Sequence, residues 1–391
     1  MLSREEMRQV ERSLANSEQD TRDEIGFLLI HQGFADRFFP GTSVLHTRIR
    51  YALFVPWLYL RAAQKPRRGS DLDATIRHLL VELAIRLKEL GGEPKDVIGG
   101  DKLGQLTSQP PDRVYWSAMR EWKIMLPEVE SRPEALRRLQ LAAKITPKDD
   151  DGGRLGDDLI EVFGSLPPIP SSWDDPKGPL QFKMSQPERE FLRDRLRQLT
   201  RPDGMSTLLS RLVETENSFP DTSLRLPLEL DPHADALDKV ALGVARDAAA
   251  LAAVGRAVYG ALVEQLVAND GGNDNQTYRD QLRTHFAQYG DPAGHCDLDA
   301  AEKLLPDLPP HVKTVLHDTQ SYVREGKPEK FADLQACYQK AEYQRKKGRA
   351  RLLATERAKM RRAEWDPDRH NTTPLHYRWK VVRQMLEDLK D

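Results

Sequence analysis

Asp71-Leu72-Asp73-Ala74-Thr75-Ile76-Arg77-His78-Leu79-Leu80-Val81-Glu82-Leu83-Ala84-Ile85-Arg86-Leu87-Lys88-Glu89-Leu90, stopped by Gly91-Gly92, is the run that decides the fold. Its apolar residues Leu72, Ile76, Leu79, Leu80, Leu83, Leu87 and Leu90 recur every three or four positions, the period of one helical face. Ser70 or Asp71 supplies the N-cap, and the glycine pair ends the helix because it accepts left-handed backbone. A stripe of this kind must pack on other helices to leave water.

Working outward, the same punctuation recurs. Ser3 and Glu6 have capping-box spacing ahead of Met7, Val10 and Leu14, and Thr21 to Glu24 repeats it ahead of Ile25, Leu28, Leu29 and Phe34. Phe39-Pro40-Gly41 closes that helix, and Thr42 or Ser43 caps a third, from Val44 to about Ala63. Tyr51 to Leu60 is apolar nearly all round, which predicts burial, and Pro56 within it predicts a kink. Between Asp96 and Leu126 the texture changes to Gly99-Gly100 and Pro110-Pro111, then a short aromatic helix around Tyr115, Trp116, Met119 and Trp122. Residues 132–186 are rich in proline and aspartate and read as an exposed connection. Ser185-Gln186-Pro187-Glu188 starts a second helical region, in which Ala234 to Ala268 carries Gly243, Ala249, Ala250, Gly255 and Gly260 for close helix approach. Glu329 to Glu364 reads as one long basic helix or two in succession.

The predicted fold is therefore mainly α. An N-terminal helical domain over 1–131 has the helix order of a helix-turn-helix unit, with room for a small β-ribbon or wing near 96–114. The 132–186 connection leads to a C-terminal helical domain over 187–391 that holds the basic helix. No stretch reads as a continuous membrane span, and Met1-Leu2-Ser3-Arg4-Glu5-Glu6 lacks an apolar signal core, so the expectation is a cytoplasmic protein without membrane contact.

A net charge of −2 over 391 residues hides a strong segregation. Residues 340–362 hold ten cations against Glu342 and Glu356, a charge of +8. Residues 42–70 hold Arg48, Arg50, Arg61, Lys65, Arg67 and Arg68 with no carboxylate, a charge of +6, so the remainder carries −16. Clustered cations attract polyanions even when the average is near zero. The opposing reading is a solvated helix face, or pairing with the protein's own acids.

Catalytic signatures are scarce. Cys296 and Cys337 are the only cysteines, which excludes a disulfide framework or a multi-cysteine metal knuckle. No Gly-x-x-x-x-Gly-Lys-Ser/Thr segment exists to cradle phosphates, so an energy-driven step requires a partner. Asp101 with Glu121-Trp122-Lys123 has the form of a metal-dependent nuclease motif, but acid-x-Lys pairs occur five times in the chain, and composition alone supplies several. His285, His295, Cys296, His311 and His317 lack metal-ligand spacing. No catalytic residue, metal or cofactor is assigned. The basic segments remain. Lys346, Lys347, Arg349, Arg351, Arg361 and Arg362 suit phosphate contacts, which need only density of positive charge. Arg48 and Arg50, at the start of the third helix, suit a groove or else internal pairing with Asp20, Asp23 or Asp36.

Several runs carry a family likeness. Thr21-Arg22-Asp23-Glu24-Ile25-Gly26, Ala35-Asp36-Arg37-Phe38-Phe39-Pro40-Gly41-Thr42-Ser43 and Thr47 to Trp57 resemble the bacterial family DUF6361, a domain of unknown function. Val97-Ile98-Gly99, Val114-Tyr115-Trp116, Leu166-Pro167-Pro168-Ile169-Pro170 and Leu375-His376-Tyr377-Arg378-Trp379 follow in the expected order. The resemblance implies no catalytic residues. It implies a context, since genes of this family neighbour helicase, nuclease or methyltransferase genes in phage-defence islands. The expectation is a non-catalytic DNA-binding component of a multi-gene anti-phage system, working with a separate ATPase or nuclease. The alternatives are a scaffold or adaptor that assembles such a complex, and a metal-dependent nuclease.

Overall fold

The computed structural model describes residues 24–64, 71–89, 95–144, 161–173, 175, 180–215, 218–220, 226–367 and 370–390. In chain order the helices are α1 (Phe27–Phe38), α2 (Tyr51–Gln64), α3 (Leu72–Glu89), α4 (Pro111–Val114), α5 (Trp116–Glu121), α6 (Arg132–Lys144), α7 (Gln186–Arg197) and α8 (Leu208–Leu212). They continue as α9 (Ala236–Asn269), α10 (Thr277–His295), α11 (Leu298–Leu304), α12 (Pro310–Glu325), α13 (Gln335–Lys346), α14 (Glu356–Ala363) and α15 (Trp379–Asp388). The fold is mainly α. Among the described residues no strand forms, and the extended pairings are two isolated antiparallel bridges, Met125 with Phe163 and Thr200 with Ser206. The expected ribbon near 96–114 is a series of turns followed by α4. Gly99 and Gly104, at φ +83° and +80°, reverse the chain before strand length is reached.

The chain packs into two compact units, each discontinuous. Unit 1 comprises Met1–Phe34 and Thr222–Tyr377, and unit 2 comprises Ala35–Asp221 and Arg378–Asp391. This differs from a division at 131 and 187, because side chains distant in sequence decide it. Phe27 lies where a Cβ on Gly255 would fall, and Gly33 is closed in by Leu305, which holds residues 27–34 in unit 1.

Unit 2 is built around α2, where Tyr51 to Tyr59 are all buried, as the unbroken apolar run requires. Tyr51, Phe54 and Trp57 meet Tyr115, Trp173 and Phe182 at ring-centroid distances of 5.4–5.8 Å. Helix α3 buries Leu72, Ile76, Leu80, Leu83 and Leu87 on the predicted face, and Asp71 caps it by accepting the Ala74 amide at 2.6 Å. The glycine pair after it lies outside the described residues. Helix α7 starts where Ser185 to Glu188 predict, and there the two residues form a capping box, with the Ser185 amide donating to Glu188 Oε2 at 2.8 Å. Helix α15 joins through Trp379, fully buried against Phe39 and Phe219, and through the Leu389 carbonyl, which accepts from Arg193.

Unit 1 is organised by α9, which the alanine-rich segment forms over 34 residues. It is long and apolar enough to cross a membrane by length and composition, and most of its apolar window is buried inside the unit. Its small residues work at two of the expected positions. A Cβ on Gly255 would collide with Phe27, and one on Gly260 would lie 2.6 Å from the Tyr278 ring, whereas Gly243 faces open space. Glu264 on α9 accepts the Tyr278 and Arg279 amides at 2.9 and 3.3 Å, which satisfies the start of α10, where the N-cap Gln276 offers no side-chain bond.

Candidate nucleic-acid interface

The C-terminal cations do not lie along one helix. The basic run breaks where α13 ends, because Lys347 adopts φ +50° and Gly348 follows, and residues 347–349 make a single 3-10 turn. Glu342, buried on α13, fixes the return of the chain. Its Oε2 accepts the Arg351 and Leu352 amides at 2.9 and 2.8 Å, and its Oε1 accepts the Tyr259 hydroxyl at 2.7 Å. Of the two expectations for this stretch, two helices in succession is the one that holds, α13 and α14 joined by a turn, because one internal carboxylate rewards the break.

This fold sorts the six predicted phosphate ligands. Lys346 is buried and its ammonium lies 3.2 Å from Glu24, itself buried. Arg351 is half-buried beside the same carboxylate, with NH1 at 3.5 Å. Arg362 is buried, bonds Asp270 at 2.6 and 2.7 Å and donates to the Leu353 carbonyl at 2.9 Å. Arg361, partly exposed, pairs with Glu364 at 2.8 Å. Lys347 and Arg349 are exposed, and the Lys347 ammonium lies 5.5 Å from the ring centre of the exposed Tyr343.

Exposed cations that the sequence reading did not select join these two. The Arg357 guanidinium packs over Gly348, with NH1 2.8 Å from the position of a Cβ there, and Lys340 and Lys359 are exposed as well. Arg345 lies beside the start of α12, its NH1 3.6 Å from where a Cβ on Gly26 would fall and Val312 Cγ2 at 2.5 Å from that point. Burial, with Arg345 and Lys347 nearby, holds the His311 imidazole below the usual histidine range. A positive face thus forms at the break between α13 and α14. Sequence could have found Arg357, since it sits in the same charged window, but not its approach to residue 348.

Arg48 and Arg50 are placed differently from a recognition helix. Residues 42–50 form turns, and α2 begins only at Tyr51. Arg48 bridges Asp96 at 3.0 Å and Asp388 at 2.7 Å, with its guanidinium over the Phe182 ring, and the Ile49 amide also donates to Asp388. Arg50 is buried, pairs with Glu188 at 2.8 Å and donates to the Gln181 carbonyl. Both are held internally, by Asp96, Asp388 and Glu188, and the expected partners Asp20 and Asp23 lie outside the described residues. His46 stacks on Tyr115 at 4.1 Å, accepts the Ser43 amide on Nδ1 and so donates from Nε2 to the Val114 carbonyl at 2.9 Å. Together these bonds replace the first turns of the expected helix.

A family model described as "Family of unknown function (DUF6361)" matches residues 3–282. The chain belongs to the DUF6361 family. No curated protein and no solved structure matches it. In this DUF6361 chain the matched span contains the Arg48 and Arg50 loop, whereas the positive face around residues 340–359 lies beyond it. Asp101, Glu121 and Lys123 are exposed, on turns and at the end of α5, and no strand is there to present them. Among the described residues no group of three or more His, Cys, Asp or Glu could hold a metal ion. His295 bonds the Asp291 carbonyl, His317 pairs with Glu302, and burial pushes the Cys296 thiol up to about 12.

The backbone at Lys347 offers a separate test. A lysine at φ +50° costs about 1 kcal/mol or more relative to glycine. Lys347→Gly is expected to raise stability by about 1 kcal/mol in urea denaturation. A loss of stability would mean that the side chain, through Tyr343, holds the turn.

Proposed function

We propose that this DUF6361 protein binds DNA through its phosphate backbone, as a non-catalytic component of a multi-gene anti-phage system, in the cytoplasm and beside a separate ATPase or nuclease. One observation carries the reading: the exposed cations Lys347 and Arg349 flank Gly348 at the break after α13, and the exposed Arg357 packs its guanidinium over that glycine. Within residues 340–362 the one exposed carboxylate is Glu356. Phosphate contacts ask for charge density on a surface and no particular secondary structure. Tyr343, exposed beside Lys347, adds a ring on which a base can stack. The gene neighbourhood implied by the family supports the defence setting.

The test is fluorescence anisotropy with a labelled duplex across a salt series. Steep weakening with salt is expected, and the Arg349→Glu, Arg357→Glu double variant should lower affinity at least tenfold and reduce the salt slope by about two. Equal binding by wild type and double variant would remove this face from the reading. A second reading, a protein adaptor, is favoured by Leu228, Leu237 and Val240, which stand 58–68% exposed at and before the start of α9. Assembly through such a patch would hardly respond to salt.

A further inference from the structure

Beside the positive face, α12 and α13 leave a cleft of about 240 Å³. Pro310, His311 and Thr314 line it from α12, and Cys337, whose thiol bonds the Asp318 carboxylate, Lys340, Ala341 and Gln344 from α13. Its walls are mostly apolar. The polar groups in and behind its walls are few and varied. His311 Nε2 is buried with no hydrogen-bond partner among the described residues, Gln344 carries an amide that both donates and accepts, and Lys340 is an exposed cation. Arg345 and Lys347 stand near enough to His311 to oppose its protonation, which places positive charge at one end of the cleft.

These features specify a ligand. Apolar walls accept a flat ring, the exposed Gln344 amide reads the edge of a heterocycle, and cations at the rim hold an anion attached to it. The volume is below the about 300–1,000 Å³ of pockets that enclose drug-sized molecules, so a single base fits and a dinucleotide does not. We propose that the cleft takes one nucleotide, its base between α12 and α13 and its phosphate on Lys340 and Lys347. The proposal rests on the phosphate-binding reading of the same face and adds a preference to it: an unpaired nucleotide on a strand, or a free nucleoside monophosphate, is bound where a fully paired one is not. An unpaired base is the form that can leave the stack to enter a pocket.

The 391-residue chain can be titrated with a blunt duplex, with the same duplex bearing a one-nucleotide overhang, and with AMP or TMP alone by calorimetry. The overhang is expected to bind about tenfold tighter than the blunt end. Thr314→Trp, at an exposed cleft position, should abolish that gain and leave blunt-duplex affinity unchanged, and Gln344→Ala should weaken the gain without filling the cleft. AMP or TMP binding that Thr314→Trp removes, with no gain from an overhang, supports the site and assigns it to free nucleotides. Blunt-duplex binding with no overhang gain and no nucleotide binding overturns the cleft proposal and leaves the DNA reading intact. Nucleotide binding without duplex binding overturns the DNA reading and leaves the cleft. Loss of every interaction overturns both.

Discussion

Glu188→Ala is expected to destabilise the protein by about 4 kcal/mol or more, close to the whole stability of an ordinary domain. The carboxylate serves two groups at once. One oxygen accepts the Ser185 amide at the start of α7, and the other holds Arg50, whose side chain is 9% exposed. Loss of the cap alone costs about 1 kcal/mol. Loss of the carboxylate paired with a buried guanidinium costs about 3–5 kcal/mol, because among the described residues Arg50 then keeps a desolvated charge with the Gln181 carbonyl and the Phe54 ring beside it. Urea denaturation of the variant measures the sum. A loss under 1 kcal/mol would mean that Arg50 reaches water when its partner is removed. The Arg50→Met, Glu188→Met double variant should recover much of the loss, since neither charge is then stranded.

The second large effect is a loss of stability in acid, centred on His46. Burial pulls its imidazole down to about 3, with the Val114 bond opposing and Arg378 reinforcing. In the unfolded chain the same ring titrates near 6.5. Between these values the unfolded state binds a proton that the folded state refuses, so stability is fully present above pH 6.5 and falls as pH drops toward 3. At about 1.4 kcal/mol per pH unit, roughly 3 kcal/mol is lost by pH 4. Protonation would also force a second proton onto Nδ1, which now accepts the Ser43 amide. Denaturation of wild type and His46→Gln at pH 7 and pH 4 isolates the effect: the variant should be less stable at pH 7 and lose about 3 kcal/mol less on acidification. Equal pH slopes would show that the ring takes up its proton without unfolding.

Sequence reading reached the local structure where local chemistry decides it. The α3 stripe, the Asp71 cap, the helix start at Ser185 to Glu188 and the buried run of α2 are all specified by neighbours within a few positions. It failed where the deciding partner is remote. Thr42 and Ser43 look like caps, but residues 42–50 stay in turns because Asp388 takes the Ile49 amide and the Arg48 guanidinium. The basic run looks like a helix because charge counts carry no partners. Glu342, inside the run, and Glu24, far outside it, decide which cations are spent internally. Lys346 and Arg362 were thus indistinguishable by type from Lys347 and Arg349, although the first two are buried.

The tie between Arg48 and Asp388 sets an order of events during synthesis. The two residues are 340 positions apart. At about 5–20 residues per second, the arginine emerges from the ribosome on the order of half a minute before its carboxylate exists. Throughout that interval the 42–50 loop, Phe39 and Phe219 lack α15, so unit 2 cannot close until α15 has been made. A stop codon or cleavage ahead of Trp379 would therefore strike the 42–50 loop, which is made long before the carboxylate that holds it.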